Sequence, residues 1–305
     1  MTPPASPLAR ARSSSGRRLI AGIPIAWLLA LFLVPFLIVL KISLSEVRLA
    51  VPPYAPLLQW RHGIPLPALH LSNYAFLFTD PLYASSYLYS LKVAAVSTAC
   101  CLAIGYPMAY AIARSGAASR SVLLMAVVLP FWTSLLLRVY AWIGLLKNNG
   151  VINNVLLALG VIHEPLTLLQ TDFAVYIGIV YSYLPFMILP LYANLEKHDV
   201  TLLEAAADLG ATPFRAFLRV TLPQSLPGIA SGGLLVFIPA VGEYVVPSLL
   251  GRTDQLMIGR VLSDEFFENR DWPLASAVAI LMLLLLVVPI TLLQRLEKRS
   301  LEAPS

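Results

Sequence analysis

The sequence predicts an all-α integral membrane protein with six transmembrane helices. Two features of composition support this prediction: 58% of the 305 residues are hydrophobic and only 12% are charged. Soluble domains carry about 25% charged residues, whereas a spanning helix needs roughly 20 mostly apolar residues. The third observation is that several stretches of the chain meet this length requirement. We therefore expect the bilayer to be the main solvent of the protein.

The spans can be placed from the apolar runs, and many of them contain proline, which neighbouring groups accommodate in a membrane bundle. The first run is too long for the core of a cleavable signal peptide, about 7–15 residues, and is interpreted as a retained span. Residues 1–18, rich in Ser, Pro and Arg, are expected to be disordered, and residues 295–305 to form a tail. The transmembrane domain at 19–294 then contains spans at 19–40, 88–113, 122–146, 174–195, 229–250 and 274–293.

Positive charges predict the orientation of these spans. If both termini are inside, the inner segments carry twice as many Lys and Arg residues as the outer segments, in agreement with the positive-inside rule. The chain is therefore expected to be a multi-pass membrane protein with both termini in the cytoplasm. Long outer loops are expected at 41–87 and 251–273, and a large inner loop at 196–228. The net charge of +5 is explained by topology, without a nucleic-acid partner.

Several kinds of chemistry have no motif in the sequence. No Gly-x-x-x-x-Gly-Lys-Ser/Thr loop is present to hold a nucleotide's phosphates, and no Gly-x-Ser-x-Gly elbow is present for a nucleophile. Cys100 and Cys101 are adjacent within an apolar run and are interpreted as small core residues. The four histidines have no metal-ligand spacing. The chain is expected to bind no cofactor or metal and not to be an enzyme.

The inner loop predicts two short helices. Thr201 and Glu204 have the spacing of a capping box, which should begin a helix ending near Leu209. Gly210 can then adopt the left-handed conformation that terminates it. The Thr212-Pro213 pair predicts the start of a second helix, with proline in its first turn.

Two later prolines, Pro223 and Pro227, are expected to end this second helix before the fifth span. A short helix that cannot bury itself in lipid needs a protein partner, and Leu202, Leu203 and Phe214 could supply apolar contacts. A solvated loop is the alternative.

The same loop resembles a known family. The run Glu-Ala-Ala-Ala-Asp-Leu-Gly at 204–210, followed by Leu-Pro at 222–223, is similar to the EAA loop of ABC-importer permeases. The resemblance implies a MetI-like type I permease fold in which this loop is a coupling helix docked into a separate ATPase. The residues implied to contact the ATPase are Glu204, Ala205, Ala206, Asp208 and Gly210.

Segments 129–142, 147–154, 239–244 and 269–273 resemble the polyamine branch of these permeases, with the greatest likeness to a putrescine-importer permease. The implied cargo is putrescine or spermidine, moved by alternating access. The implied partners are two copies of an ATP-binding subunit that uses ATP and Mg, a periplasmic substrate-binding protein, and a second permease. The second permease is expected to be non-identical, with a homodimer as the alternative.

Polar and aromatic side chains within the spans are candidates for the substrate pathway. Glu243, near the middle of the fifth span, is either a contact for a cationic cargo or a structural partner of Arg138 or Lys92, because a charge there is costly. Arg138 is expected to pair with an acid or with helix-end carbonyls. The aromatic residues of these spans either make cation–π contacts to the cargo or are ordinary packing residues. They are Phe131, Trp132, Tyr181 and Tyr183.

Other classes of protein remain as alternatives. An ABC importer of another small solute would share the EAA loop. An ion-coupled secondary transporter would be expected to contain more intramembrane acids and often repeated halves. A membrane enzyme would require a catalytic constellation that the scattered histidines do not provide. A co-purifying ATPase would distinguish the first class from the other two.

Overall fold

The computed structural model describes residues 22–61, 64–67 and 69–302. The expected disordered segment at 1–18 lies outside them. The described elements, in chain order, are α1 (Gly22–Ser43), β1 (Leu58–Arg61), β2 (Ile64–Pro67), α2 (Ser72–Thr79), α3 (Pro81–Arg114), α4 (Ala117–Trp132), α5 (Leu135–Leu146), α6 (Val151–Ala158), α7 (Asp172–Leu195), α8 (Thr201–Asp208), α9 (Pro213–Val241), α10 (Val245–Leu250), α11 (Ile258–Phe267) and α12 (Trp272–Glu302).

The membrane part is helical, which confirms the predicted fold class. In the described chain, four helices (α1, α3, α7 and α9) are long and apolar enough to cross a bilayer. A fifth crossing is formed if α4 and the segment Leu135–Ala158 count as one bent span. The sixth predicted span falls on α12, within which the described residues Trp272–Val287 are apolar. The six-helix count is thus approximate, because one predicted span is broken.

The prediction of a continuous third span is wrong. Helix α4 tightens into a 3₁₀ turn at Leu129–Trp132, and the chain then bends by 89° before Leu135. Pro130 lacks a backbone N–H, so it cannot continue the helical hydrogen bonds. Thr133, in extended conformation, donates from Oγ1 to the Pro130 carbonyl at 2.7 Å.

The predicted fifth span, 229–250, is wrong at both ends. Its helix ends at Val241, just after Pro239, and a new short helix begins at Val245. At the other end, Pro223 and Pro227 do not separate it from the preceding helix, and α9 is continuous from Pro213.

A π-helical turn at Phe217–Thr221 explains this continuity, since the Leu222 N–H donates to the Phe217 carbonyl, one residue further back than in an α-helix. The wider turn rearranges the hydrogen bonds beside proline.

The predicted loop at 41–87 contains unexpected secondary structure. Strands β1 and β2 pair antiparallel, with Leu58 opposite Pro67 and Arg61 opposite Ile64. Helix α3 begins at Pro81, earlier than expected, because the Asp80 carboxylate accepts a hydrogen bond from the Leu82 N–H at 2.8 Å and caps the helix. The helix α11 likewise occupies the second predicted outer loop.

The structure divides into two compact units, which are described separately. One contains the residues up to Phe76 together with Asn269–Ile280. Within it, the Asn73 side-chain amide donates to the carbonyls of Ser43 and Ser45, at 3.0 and 2.9 Å. These bonds fasten the start of α2 to the end of α1.

The other unit contains Leu77–Glu268 and the chain from Leu281 onward, and its core is formed by α3, α7 and α9. Met187 of α7 is fully buried at the centre. A Cβ atom at Gly105 of α3 would lie 3.1 Å from the Met187 Cγ, and one at Gly232 of α9 would lie 3.0 Å from its Sδ. Glycine at these positions lets three helices approach closely without a hydrophobic driving force in lipid.

Candidate functional site

The first break, between α4 and α5, is open. Ser134 is the N-cap of α5, but its side chain makes no capping hydrogen bond. The neighbouring Trp132 side chain is 78% exposed and makes no ring contact within the described part of the chain. Without a side-chain cap, the first backbone N–H groups of α5 need another hydrogen-bond partner. The first break is therefore a candidate for contact with something outside this chain.

The second break, residues 242–244 between α9 and α10, is buried and hydrogen-bonded. Glu243 lies at this break and not in the middle of a continuous helix, and it is only 8% exposed. Its Oε1 accepts hydrogen bonds from the N–H groups of Val245 at 3.0 Å and Val246 at 3.4 Å. A carboxylate is favourable at a helix N-terminus, so Glu243 stabilises the start of α10.

Helix α7 connects the two breaks through aromatic side chains. The Tyr183 hydroxyl donates to Glu243 Oε2 at 2.5 Å. The Tyr183 ring contacts Phe186, with centroids 6.0 Å apart, and Phe186 meets Phe131 edge to face at 5.1 Å. Phe131 belongs to the 3₁₀ turn before the first break. A continuous row of rings thus runs from the carboxylate to the other break.

Arg138 contacts this row from α5, with its guanidinium carbon 5.6 Å from the centroid of Phe131 and 5.9 Å from that of Tyr181. Its Nε and Nη1 are buried and have no hydrogen-bond partner among the described residues. Within the described residues, these two nitrogens therefore lack the acid or carbonyl that the sequence led us to expect. Aromatic faces take the place of an anion, because they attract a guanidinium through their quadrupole.

Lys92 also has a partner other than Glu243. Its Nζ lies 3.6 Å from Asp172 Oδ2, at the start of α7, and 5.9 Å from the Tyr89 ring centroid. The interpretation of Glu243 as a structural partner of Arg138 or Lys92 is thus excluded by these contacts. Of the four predicted pathway aromatics, Phe131, Tyr181 and Tyr183 share one cluster, and Trp132 lies apart from it.

The segment after α7 folds partly as predicted, with errors at its start and in the length of its second helix. The capping box is wrong: Val200 is the N-cap of α8, and the Asp199 Oδ1 accepts the Thr201 N–H at 2.9 Å. This hydrogen bond lowers the pKa of Asp199 below its usual value. Gly210 has a φ of +77°, which confirms the predicted left-handed turn.

The second predicted helix start is also confirmed, since Thr212 Oγ1 accepts the Arg215 N–H at 3.4 Å. This helix is not short, however, because it continues into α9. Around the turn, the side chains of Leu209 and Phe214 are 89% and 69% exposed. The predicted coupling residues Glu204, Ala205, Asp208 and Gly210 are exposed, and Ala206 is half-buried.

An ion pair beside this segment escaped sequence reasoning. Arg120 Nη1 lies 2.5 Å from Glu196 Oε1, and its Nη2 donates to the carbonyls of Ala113 at 3.2 Å and Ser115 at 3.3 Å. The pair fastens the turn between α3 and α4 to the residue that follows α7. The partners are 76 positions apart, so no local pattern relates them. Among the described residues, no group of three or more His, Cys, Asp or Glu side chains could hold a metal.

Apolar spanning helices, broken helices that meet beside buried charges, and an exposed interhelical segment define a multi-pass membrane transport component. Comparison with known sequences specifies its family. The family described as "Binding-protein-dependent transport system inner membrane component" matches residues 17–302, so the chain belongs to this family. The resemblance noted in the EAA loop is thereby confirmed.

One relative is similar along nearly the whole chain. The "Spermidine/putrescine transport system permease protein PotB" of Haemophilus influenzae is 40% identical over 284 residues, which cover 92% of this chain and 94% of the relative. The resemblance to the polyamine branch is confirmed by this match.

Two solved structures show the same fold. A bacterial alginate ABC transporter, solved in complex with an alginate pentasaccharide-bound periplasmic protein, contains a chain with a TM-score of 0.72 and 15% identity, covering 97% of this chain and 99% of that one. The MetNI methionine ABC transporter, in inward-facing conformations, contains a chain with a TM-score of 0.55 and 17% identity, covering 72% and 95%. The protein is therefore a multi-pass inner-membrane permease with the MetI-like fold.

Proposed function

We propose that this chain is a pore-forming subunit of an ATP-driven, binding-protein-dependent importer of polyamines, putrescine or spermidine. The observation that carries the proposal is the 40% identity, along 92% of the chain, to a permease named for spermidine and putrescine. The site agrees in its chemistry, because a buried carboxylate beside aromatic faces suits an alkylammonium group. An importer of another small solute is the alternative.

Within this proposal, Glu243 is the residue that attracts the cargo. Its oxygens accept three hydrogen bonds from Tyr183, Val245 and Val246, and none of these donors is a cation. The negative charge is therefore not neutralised by the described part of the chain and is available to an ammonium group. Arg138 would repel a second ammonium beside it, so we place the cation-binding part of the pathway at the Glu243 end of the ring row. Tyr181, beside Arg138, and Trp132, at the first break, are assigned to contacts with the uncharged part of the cargo.

The coupling role is assigned to the segment of α8. Its exposed residues Glu204, Ala205, Asp208 and Gly210, with half-buried Ala206, would enter a cleft of a separate ATP-binding subunit. The exposed apolar side chains of Leu209 and Phe214 flank them, as expected of a protein interface. This chain would bind no cofactor, and ATP and Mg would be used by two copies of the ATPase.

The assembly would move its cargo by alternating access. A periplasmic binding protein delivers the polyamine, and closure of the ATPases moves α8 and rocks the spans. A second, non-identical permease completes the cavity. Both termini and α8 lie in the cytoplasm, as the distribution of positive charges predicts.

The coupling proposal is tested by co-purification of an ATPase subunit with the tagged chain, followed by Gly210→Val. We expect the variant to retain ATP hydrolysis but to lose most of its polyamine uptake, because a β-branched residue does not tolerate a φ of +77°. Gly116→Val is the matched control: Gly116 is an exposed helix cap with a φ of −63° and no atom within 4 Å of an added Cβ. An isolated chain that drives uptake from an ion gradient would contradict the proposal.

The cargo proposal is tested by uptake of radiolabelled putrescine and spermidine with Glu243→Gln. The variant keeps the shape of the side chain and removes its charge, so we expect reduced transport with intact assembly. Glu164→Gln, at an exposed glutamate, is the control. Unchanged uptake kinetics in Glu243→Gln would remove this residue from the pathway.

A further inference from the structure

Helix α11 begins directly against the second break. Gly259, in its first turn, is buried, and a Cβ atom there would lie 2.3 Å from the Gly242 carbonyl oxygen, 2.7 Å from the Gly242 carbonyl carbon and 2.8 Å from the Glu243 carbonyl oxygen. All three atoms belong to the backbone, so no side-chain rotation relieves the clash. The two segments touch backbone to backbone, a contact that only glycine allows.

The start of α11 is also fixed to α3. Met257 and Ile258 are fully buried. The Ile258 N–H donates to Ser90 Oγ of α3 at 2.8 Å, and Ser90 is itself fully buried. This bond satisfies one of the free N–H groups at the helix N-terminus. The first turn of α11 is therefore held on one side by a spanning helix and on the other by the break that carries Glu243.

The remainder of α11 is amphipathic, and its polar side reaches the surface. Glu265 accepts a hydrogen bond from the Tyr83 hydroxyl at 2.9 Å, and Arg260 lies 3.9 Å from Asp264. Burial raises the pKa of Asp264. Phe267, in the last turn, is 72% exposed. One short helix thus extends from the buried break to an accessible surface that carries charge and an aromatic ring.

We propose that α11 transmits displacement from this surface to Glu243, and that Gly259 is the positioning residue that makes the contact. Packed backbones behave as rigid bodies because protein interiors have low compressibility. A shift of α11, such as a binding protein docked on its polar side would produce, must therefore move the Gly242–Glu243 peptide and the carboxylate beyond it. The inference rests on the proposed import function and adds a route by which cargo delivery reaches the pathway.

The test is Gly259→Ala in the assembled transporter with its ATPase. An added methyl group forces α11 and the break apart. We expect normal co-purification and basal ATP hydrolysis, and at least a tenfold loss of the stimulation of hydrolysis by cargo-loaded binding protein. If Gly259 had a purely structural role, the substitution would lower the basal and the stimulated rates of ATP hydrolysis together. Gly144→Ala is the matched control, since Gly144 is also helical and has no atom within 4 Å of an added Cβ.

A second variant protects the test against misfolding. Ser90→Ala removes the hydrogen bond to Ile258 without adding atoms, and we expect it to reduce the stimulation several-fold in the same direction. The inference is overturned if the stimulation of ATP hydrolysis in Gly259→Ala stays within twofold of the wild type. If Gly259→Ala fails to assemble, wild-type stimulation in Ser90→Ala overturns it instead. Either result leaves the proposed import function intact. A wild-type chain that co-purifies with no ATPase subunit and takes up no polyamine would contradict the proposed function and this inference together.

Discussion

The two helix breaks of this permease differ in how they are held. At the first, Trp132 is largely exposed and Ser134 makes no side-chain cap. At the second, Glu243 is buried, caps two backbone N–H groups and accepts the Tyr183 hydroxyl. Both interruptions follow a proline, so the local cause is shared and the surroundings make the difference. A break can therefore serve either as an open contact site or as a fixed point, depending on what packs against it.

Helix α7 is the main support of the fixed break. A Cβ atom at Gly178 of α7 would lie 2.6 Å from Val246 Cγ1 and 2.8 Å from Leu250 Cδ1, both on α10. The short helix is thus clamped along its length, while Glu243 holds its start. On α5, by contrast, Gly144 has free space around it, in the last turn of the helix and away from the open break.

The largest effect is expected from Gly178→Val, which breaks the clamp. Inserting a side chain into a packed contact costs about 1–3 kcal/mol, occasionally more. We expect a marked fall in the melting temperature of the detergent-purified protein and loss of uptake. Gly144→Val, in the last turn of α5, is the control and should leave the melting temperature close to the wild type, because no atom lies within 4 Å of an added Cβ. Equal melting temperatures of the two variants would show that α7 does not clamp α10.

An intermediate effect is expected from Tyr183→Phe, which removes one hydrogen bond from the fixed carboxylate. Hydrogen bonds to charged groups contribute about 1.5–3 kcal/mol, and 1.4 kcal/mol corresponds to a factor of about ten in affinity. We expect the KM for polyamine uptake to rise by about tenfold or more. Tyr140→Phe, at an exposed tyrosine on α5, is the control and should leave KM unchanged. An unaltered KM in Tyr183→Phe would separate the hydrogen bond from transport.

The smallest effect on stability is expected from Arg138→Met at the open break. The substitution removes a guanidinium with two buried nitrogens that have no hydrogen-bond partner among the described residues and keeps an apolar stem against the rings. Because replacing a poorly satisfied charge by an apolar group is often neutral or stabilising, we expect the melting temperature not to fall. A clear decrease would indicate that Arg138 has a strong partner within the assembly, and that the first break is held more firmly than its contacts show.

Local signals in the sequence predicted the local features of this structure. Gly210 was expected in a left-handed turn because no side chain opposes it, and the Thr212-Pro213 pair was expected to start a helix; both are confirmed. Proline was a weaker guide. Pro185 and Pro190 lie within the continuous helix α7, whereas Pro130 and Pro239 precede breaks. Tertiary packing, which the sequence pattern does not contain, decides between a tolerated proline and an interruption.

The site depended even more on distant contacts. Glu243 was recognised as a costly intramembrane charge, but its partner Tyr183 lies 60 positions away and was assigned only an aromatic role. The Arg120–Glu196 pair and the Gly259–Gly242 contact join segments that no periodicity relates. Such contacts follow from the arrangement of helices, which was expected from the family resemblance and not from the spacing of residues.

The π turn at Phe217–Thr221 has a consequence for the direction in which α8 faces. A π turn contains one residue more than an α turn at the same place, and each residue of a helix contributes a rotation of about 100° and a rise of about 1.5 Å. If the same residues wound as a regular α-helix instead, everything before them would rotate by about 100° around the axis of α9. Leu209 and Phe214 would then point in a different direction, so the orientation of the coupling segment depends on this one π turn.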